Sequence, residues 1–189
     1  LWLRDFSHLR AKIFLRPDQM GRTVTSFVDA SKILATRADL TWERQDLHAM
    51  MWQRLINAPD AHGDCLREVV TSALPTAAVK PTLDNDAWIL PSALTAESSY
   101  QRSLFESLAG DKMGKDARRG VPYIWSVSHL ADGHGWTSPR SFLAAISAAA
   151  EDSQRYSDYP LALHYESLKR GIQKASQIRV DQVAEDDPW

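Results

Sequence analysis

The chain has 189 residues, of which 44% are hydrophobic and 24% are charged, and its formal net charge at pH 7 is −2. The length fits one globular domain, or one domain and part of another, and the balanced charge gives no overall attraction to nucleic acid or to an acidic membrane. The single cysteine, Cys65, excludes an internal disulfide framework and a zinc site built from several cysteines, and it fits a reducing cytoplasm.

Neither end of the chain has the features of a natural terminus. The first five residues, LWLRD, contain no initiator methionine and no signal-peptide pattern, and the last five, EDDPW, complete no element. No apolar run in the sequence approaches the ~20 residues that a membrane span requires. We therefore expect a fragment of a longer cytoplasmic protein, with no membrane partner.

The first candidate site lies in residues 12–18, KIFLRPD. The apolar run at 13–15 is too short for a helix and predicts a strand buried on both faces. Arg16 follows at the carboxyl end of this strand, which Pro17 ends. Ligands in open α/β sheets lie beyond the carboxyl ends of the strands, so Arg16 is a candidate for contact with an anion. The alternative is a surface arginine that only follows a strand.

Residues 18–57 predict the remaining elements of the first section. A short helix at 18–24, a helical turn at 31–34 and a short strand at 37–40 are expected. Thr41 is the predicted N-cap of an amphipathic helix that runs to Leu55. We interpret residues 1–57 as the last strands and helix of an α/β core.

Residues 58–96 predict an irregular connector that ties Trp88 to the rest of the chain. The segment contains Pro59, Pro75, Pro81 and Pro91 and has no sustained hydrophobic period. Residues 58–64 are expected to form a loop, and residues 65–74 a short helix.

Residues 97–189 predict a helical section. One helix is expected to end at Gly110, and a second covers 126–132. A third begins with Ser138 as N-cap and Pro139 at the first helical position. The last helix is expected to start near residue 160, and its apolar stripe is either core or a partner surface.

Two motifs in this section contain residue types that can bind a phosphate or a metal ion. The sequence GDKMGKD at 110–116 resembles a phosphate-binding loop, but its glycine spacing is one residue short and Asp116 replaces the required Ser or Thr. His129, Asp132 and His134 are metal-ligand residue types, but their spacing does not place them on one helical face. We predict hydrogen bonds at a helix end for these three residues.

Arg140 is the second candidate site residue. It lies in the first turn of the third helix, where a cation opposes the helix dipole at a cost of about 0.3–1 kcal/mol. This placement is understandable if an anion such as a phosphate occupies the same helix N-terminus. A surface arginine that stacks or forms a salt bridge is the alternative.

Three segments resemble the closing part of bacterial P-loop ATPases of the AAA+/STAND/KAP kind: residues 12–18, residues 40–42 (LTW) and residues 46–55. In that family a late core strand ends in a polar sensor residue, which Arg16 matches. A Pro-Arg dipeptide at the start of a lid helix provides a second sensor, which Ser138-Pro139-Arg140 matches. The resemblance implies a mainly α fold with a small β component, in which the end of an α/β P-loop core precedes a helical lid or winged-helix-like bundle.

The resemblance also implies ATP and Mg²⁺ as cofactors of the full-length protein, held with a missing N-terminal nucleotide-binding half. The chain contains neither a Walker A sequence, GxxxxGK[ST], nor a Walker B segment. We therefore expect this chain to be inactive alone, to bind no cofactor alone, and to act as the sensor-and-lid half of a nucleotide-dependent switch.

Two other classes of function stay open. Residues 98–108, 126–132 and 138–150 could form a winged-helix module for DNA, but beyond Arg140 the third helix offers only Ser and Ala to bases, so nucleic acid is disfavoured. The last helix could instead bind a protein partner or a second copy of the chain. Exposure of Leu168 and Ile172 would favour that class.

Overall fold

The computed structural model describes residues 8, 12–14, 30–73 and 80–186. The chain divides into two compact units, residues 1–40 and residues 41–189. Arg16 and the predicted helix at 18–24 lie outside the described residues.

The first unit contains one described helix, α1 (Ala30–Leu34), which confirms the predicted helical turn at 31–34. Residues 12–14 have no regular structure, and Ile13 and Phe14 are 76% and 78% exposed. Residues 37–40 are also irregular and exposed, so the strand predicted there is wrong. A strand needs a hydrogen-bonded neighbour, and the described residues of this unit provide none at either place.

The second unit is mainly helical with one small sheet, as predicted. Its elements are α2 (Arg44–Leu55), α3 (Asp60–Ser72), β1 (Thr82–Asp84), β2 (Ala87–Ile89), α4 (Ser92–Ala96), α5 (Ser98–Ala109), α6 (Pro122–Ser128), α7 (Pro139–Ser153) and α8 (Tyr165–Asp186), with a 3-10 turn at Ala117–Arg119. Among the helices that the structure describes, none combines the length and the apolar character needed to cross a bilayer.

Four helices begin at residues other than those predicted. Helix α6 covers Pro122–Ser128 instead of 126–132, because Pro122 suits the first helical position and His129 is already the C-cap. The N-cap of α2 is Glu43 and not Thr41, because the Asp46 carboxylate accepts the Glu43 N–H at 2.9 Å in a capping box. Helix α3 begins at Asp60, inside the stretch expected to be a loop. Helix α8 begins only at Tyr165.

The predicted irregular segment 58–96 contains α3, a β-hairpin and α4. Strands β1 and β2 pair antiparallel, with Leu83 opposite Trp88. The turn residues Asn85 and Asp86 have φ of 45° and 64°, as a two-residue hairpin turn of the primed type requires. The Asn57 side chain accepts the Trp88 N–H and donates to the Trp88 carbonyl oxygen, both at 2.8 Å. The expected anchoring of Trp88 is therefore confirmed.

An aromatic cluster lies at the centre of the second unit. The His48 ring from α2 is stacked on Tyr123 of α6, with 4.2 Å between the ring centroids. Its edge contacts are Phe105 of α5 and Phe142 of α7, at 4.8 Å and 5.1 Å. Because one residue from each of four helices meets here, this cluster fixes α7 relative to the rest of the unit.

Helices α7 and α8 pack closely against each other. Leu168 and Ile172 on α8 are 0% and 5% exposed, so the stripe of the last helix is core at these positions. Ala145 and Ala149 of α7 are also buried, and these small side chains allow the two helices to approach.

Candidate functional site

The start of α7 is built as the sequence predicts. Ser138 is the N-cap, with extended φ and ψ of −71° and 133°, and Pro139 occupies the first turn. The Ser138 carbonyl oxygen accepts the Phe142 N–H at 3.0 Å, and this is the first hydrogen bond of the helix. The Ser138 hydroxyl makes no capping hydrogen bond. The N–H groups of Arg140 and Ser141 have no acceptor within the described chain, so they are available to a ligand.

Arg140 is exposed and has no hydrogen bond or ion pair within the part of the chain that the structure describes. Other arginines of this unit do have carboxylate partners: Arg67 pairs with Asp64, and Arg102 with Glu106. Arg140 therefore carries an uncompensated positive charge at the helix end where the dipole is also positive.

A rigid turn holds the chain that leads into α7. The Asp132 carboxylate accepts the N–H groups of His134 and Trp136, each at 2.9 Å, and the Asp132 N–H donates to the Trp136 carbonyl oxygen at 2.9 Å. The hydrogen bond from the Trp136 N–H lowers the pKa of the Asp132 carboxyl group. The Thr137 hydroxyl, which is buried, donates to the Val127 carbonyl oxygen at 3.1 Å and ties the turn to α6.

His129 and Asp132 have hydrogen-bond partners within the protein. His129 is stacked on Trp125, with 4.1 Å between the ring centroids, and its Nδ1 lies 3.0 Å from the Trp125 carbonyl oxygen. Asp132 binds main-chain N–H groups instead of a cation. Within the described ranges no group of three His, Cys, Asp or Glu side chains could hold a metal ion. The predicted hydrogen bond at a helix end is found for His129, at the end of α6, whereas Asp132 and the His134 N–H make theirs in the turn that follows.

Sequence reasoning did not identify the role of His48. Its Nε2 lies 3.1 Å from the Tyr123 carbonyl oxygen, and its Nδ1 has no hydrogen-bond partner. Burial lowers the pKa of His48 to about 3, so the ring is neutral at physiological pH. The Tyr123 hydroxyl donates to Gln101 at 2.8 Å and extends the buried polar cluster. These residues support the fold and do not reach a surface site.

Sequence reasoning also missed a pocket at the other end of α7. The pocket has a volume of about 350 Å³ and is lined by Arg155, Tyr156, Ser157, Asp158, Tyr159 and His164. The available signal was the concentration of aromatic residues between 156 and 165, where three tyrosines and one histidine occur.

The predicted site residues are not all placed by the structure. Ser138 and Arg140 lie together at the start of α7 in the second unit. Arg16 belongs to the first unit and lies outside the described residues, so no geometry joins it to Arg140. Compared with known protein families, curated proteins and solved structures, the chain matches none.

Proposed function

We propose that this chain is the sensor-and-lid part of a P-loop ATPase, in which Arg140 contacts the terminal phosphate of ATP. The sequence predicts the lid at residues 97–189; because α2 packs into the same unit, we extend the proposed lid to the whole second unit. The observation that carries the proposal is the unpaired Arg140 in the first, uncapped turn of α7. The sequence Ser138-Pro139-Arg140 is also the one that resembles a second sensor in that family.

An anion at the start of α7 would compensate every unpaired group there. The helix dipole, the free N–H groups of Arg140 and Ser141, and the Arg140 guanidinium all favour negative charge. Phosphate oxygens accept hydrogen bonds from arginine in a planar, two-bond geometry. No protein carboxylate fills this role within the described residues.

The contacts that hold α7 to its neighbouring helices suit a lid that moves as one body. Phe142, two residues after Arg140, lies in the aromatic cluster that joins four helices. Thr137 ties the preceding turn to α6. A phosphate that attracts Arg140 would therefore move the whole helical unit and not a single side chain.

ATP and Mg²⁺ would be held mainly by parts of the protein beyond this chain, because the Walker A and Walker B sequences are missing here. The residues of this chain would orient the terminal phosphate and neutralise its charge through Arg140, with the Ser138 hydroxyl as a further donor. Arg16 is assigned to the same phosphate by the family resemblance alone.

The alternative of a DNA-binding module has less support. The exposed positions of α7 after its first turn include Ser147, Ala150 and Glu151, which offer short side chains and a negative charge. Such a helix makes few hydrogen bonds to base edges and repels phosphate.

The test compares ATP and ADP affinities of the complete gene product. Arg140→Ala should abolish the preference for ATP over ADP, because the contact with the terminal phosphate is lost. Arg54→Ala is the matched control, since Arg54 is an exposed arginine of α2 without an ion pair in the described chain. An unchanged preference in Arg140→Ala, or a gene product that binds no nucleotide, would contradict the proposal.

A further inference from the structure

We propose that the pocket between the end of α7 and the start of α8 binds a small oxyanion, the phosphate or carboxylate group of a ligand, through His164 and Arg155. This site is distinct from the one at Arg140. Helix α7 has 15 residues and is about 21 Å long, so the two sites lie at opposite ends of it.

His164 is the N-cap of α8. Its carbonyl oxygen accepts the Leu168 N–H at 3.0 Å, and its Nδ1 accepts the Glu166 N–H at 3.2 Å. Its own N–H donates to the Ser153 hydroxyl at 2.9 Å, which joins it to the end of α7. Because Nδ1 accepts a main-chain N–H, the proton of the neutral ring is on Nε2. Nε2 is therefore a hydrogen-bond donor.

Three tyrosine rings hold the imidazole in place. Tyr156 is stacked on it at 3.8 Å between centroids, Tyr165 lies at 4.3 Å, and Tyr159 contacts it edge-on at 4.6 Å. His164 is only 8% exposed, yet it lines the pocket, and its Nε2–H has no acceptor within the described residues. A ring donor of a residue in the pocket lining, with no acceptor in the described protein, is available to a ligand acceptor.

Arg155 can present a positive charge to a ligand in the pocket. Arg170 already holds the Asp152 carboxylate, with Nε at 2.7 Å and Nη2 at 2.6 Å. Arg155, which lines the pocket, shares the same carboxylate at 3.3 Å while its side chain stays 75% exposed. Because Asp152 is shared by two guanidinium groups and the side chain of Arg155 is largely exposed, the guanidinium of Arg155 keeps donors available for a ligand.

Two further residues that line the pocket indicate which kind of ligand would fit it. Ser157 and Asp158 line the pocket, and their N–H groups have no main-chain acceptor within the described chain, so they are candidate donors to a ligand. The Asp158 carboxylate is exposed and is the one acid in the lining. It favours a ligand that carries a hydroxyl or amine beside its oxyanion group, because the donor would face Asp158.

The test is calorimetric titration of the nucleotide-free gene product with inorganic phosphate and, separately, with acetate. His164→Asn removes the ring donor and keeps a good N-cap residue, while Arg155→Gln removes the charge and leaves Asp152 paired with Arg170. Each variant should weaken one saturable binding event at least tenfold. The stronger of the two anions identifies the group that the pocket prefers.

Two controls separate this site from other anion sites. Arg102→Gln, which changes an exposed arginine on α5, and Arg140→Ala should leave the pocket's binding event unchanged. If neither pocket variant alters any binding event, or if Arg140→Ala removes the event assigned to the pocket, the proposal is overturned. Thermal unfolding of His164→Asn shows whether it is folded; if it is not, Arg155→Gln decides the result alone.

Discussion

Gly171 of α8 lies directly against Ala145 of α7: a Cβ atom added at Gly171 would lie 2.3 Å from the Ala145 carbonyl oxygen and 3.0 Å from the Ala149 Cβ. At this position the space between the two helices leaves no room for a side chain. In the proposed lid, such a contact would make α8 move together with α7, the helix that carries Arg140.

We expect Gly171→Ala to lower the free energy of unfolding by about 1–3 kcal/mol, because the methyl group must push the helices apart. Gly133→Ala is the matched control, since a Cβ at Gly133 would meet nothing within 4 Å. Denaturation by urea measures both. Equal effects of the two substitutions would show that the α7–α8 contact is not tight.

The buried neutral His48 should make stability depend on pH. Its pKa is about 3 in the folded protein, because of burial, and near 6.5 when unfolded, so the unfolded chain binds the proton first. Its contribution is present above pH ~6.5 and is lost as the pH falls towards 3, at up to about 1.4 kcal/mol per pH unit.

His48→Phe should remove this part of the acid sensitivity, whatever its effect at pH 7. As the pH falls from 7 to 4, the unfolding free energy of the wild type should fall relative to that of the variant, because only the wild type has the His48 ring. Parallel curves would contradict a neutral His48 in the folded state.

The stability of the β1–β2 hairpin should depend on the side chain of Asn57. Asn57→Ala deletes both hydrogen bonds to the Trp88 main chain and should cost about 1–2 kcal/mol of stability. Asn85→Gly, in the turn itself, should be neutral or slightly stabilising, because Asn85 has a φ of 45° that glycine adopts freely. Thermal unfolding distinguishes the two asparagines, and the opposite ranking would contradict the hydrogen bonds.

Breaking the cap of α8 should cost stability as well. His164→Ala removes the acceptor for the Glu166 N–H and should lower the free energy of unfolding by about 1 kcal/mol, whereas His164→Asn should recover most of it. Chemical denaturation at pH 7.5 measures the free energy of unfolding of both variants. Identical stabilities would mean that the imidazole does not act as a cap.

The start of α7 could be predicted because its signals are local. A serine before a proline fixes the N-cap and the first dihedral angle, and Arg140 then falls in the first turn. The end of α5 at Gly110 could also be predicted from a local signal. Gly110 has a φ of 78°, which glycine adopts without strain.

The cap of α8 could not be predicted, because histidine is not a typical N-cap and its place depends on Ser153, eleven positions earlier in the chain. The hairpin was missed because its strands have only three residues each, and Trp88 is fixed by Asn57 of a distant segment. The pocket at His164 arises from the same long-range contact.

The most direct test of the proposed lid function is the rate of ATP hydrolysis by the complete gene product and its Arg140→Ala variant. With folding intact, removal of the guanidinium should lower the rate by about 10²-fold or more, as loss of a group that stabilises developing charge does. A gene product that hydrolyses ATP equally well without Arg140 would contradict a phosphate contact at the start of α7.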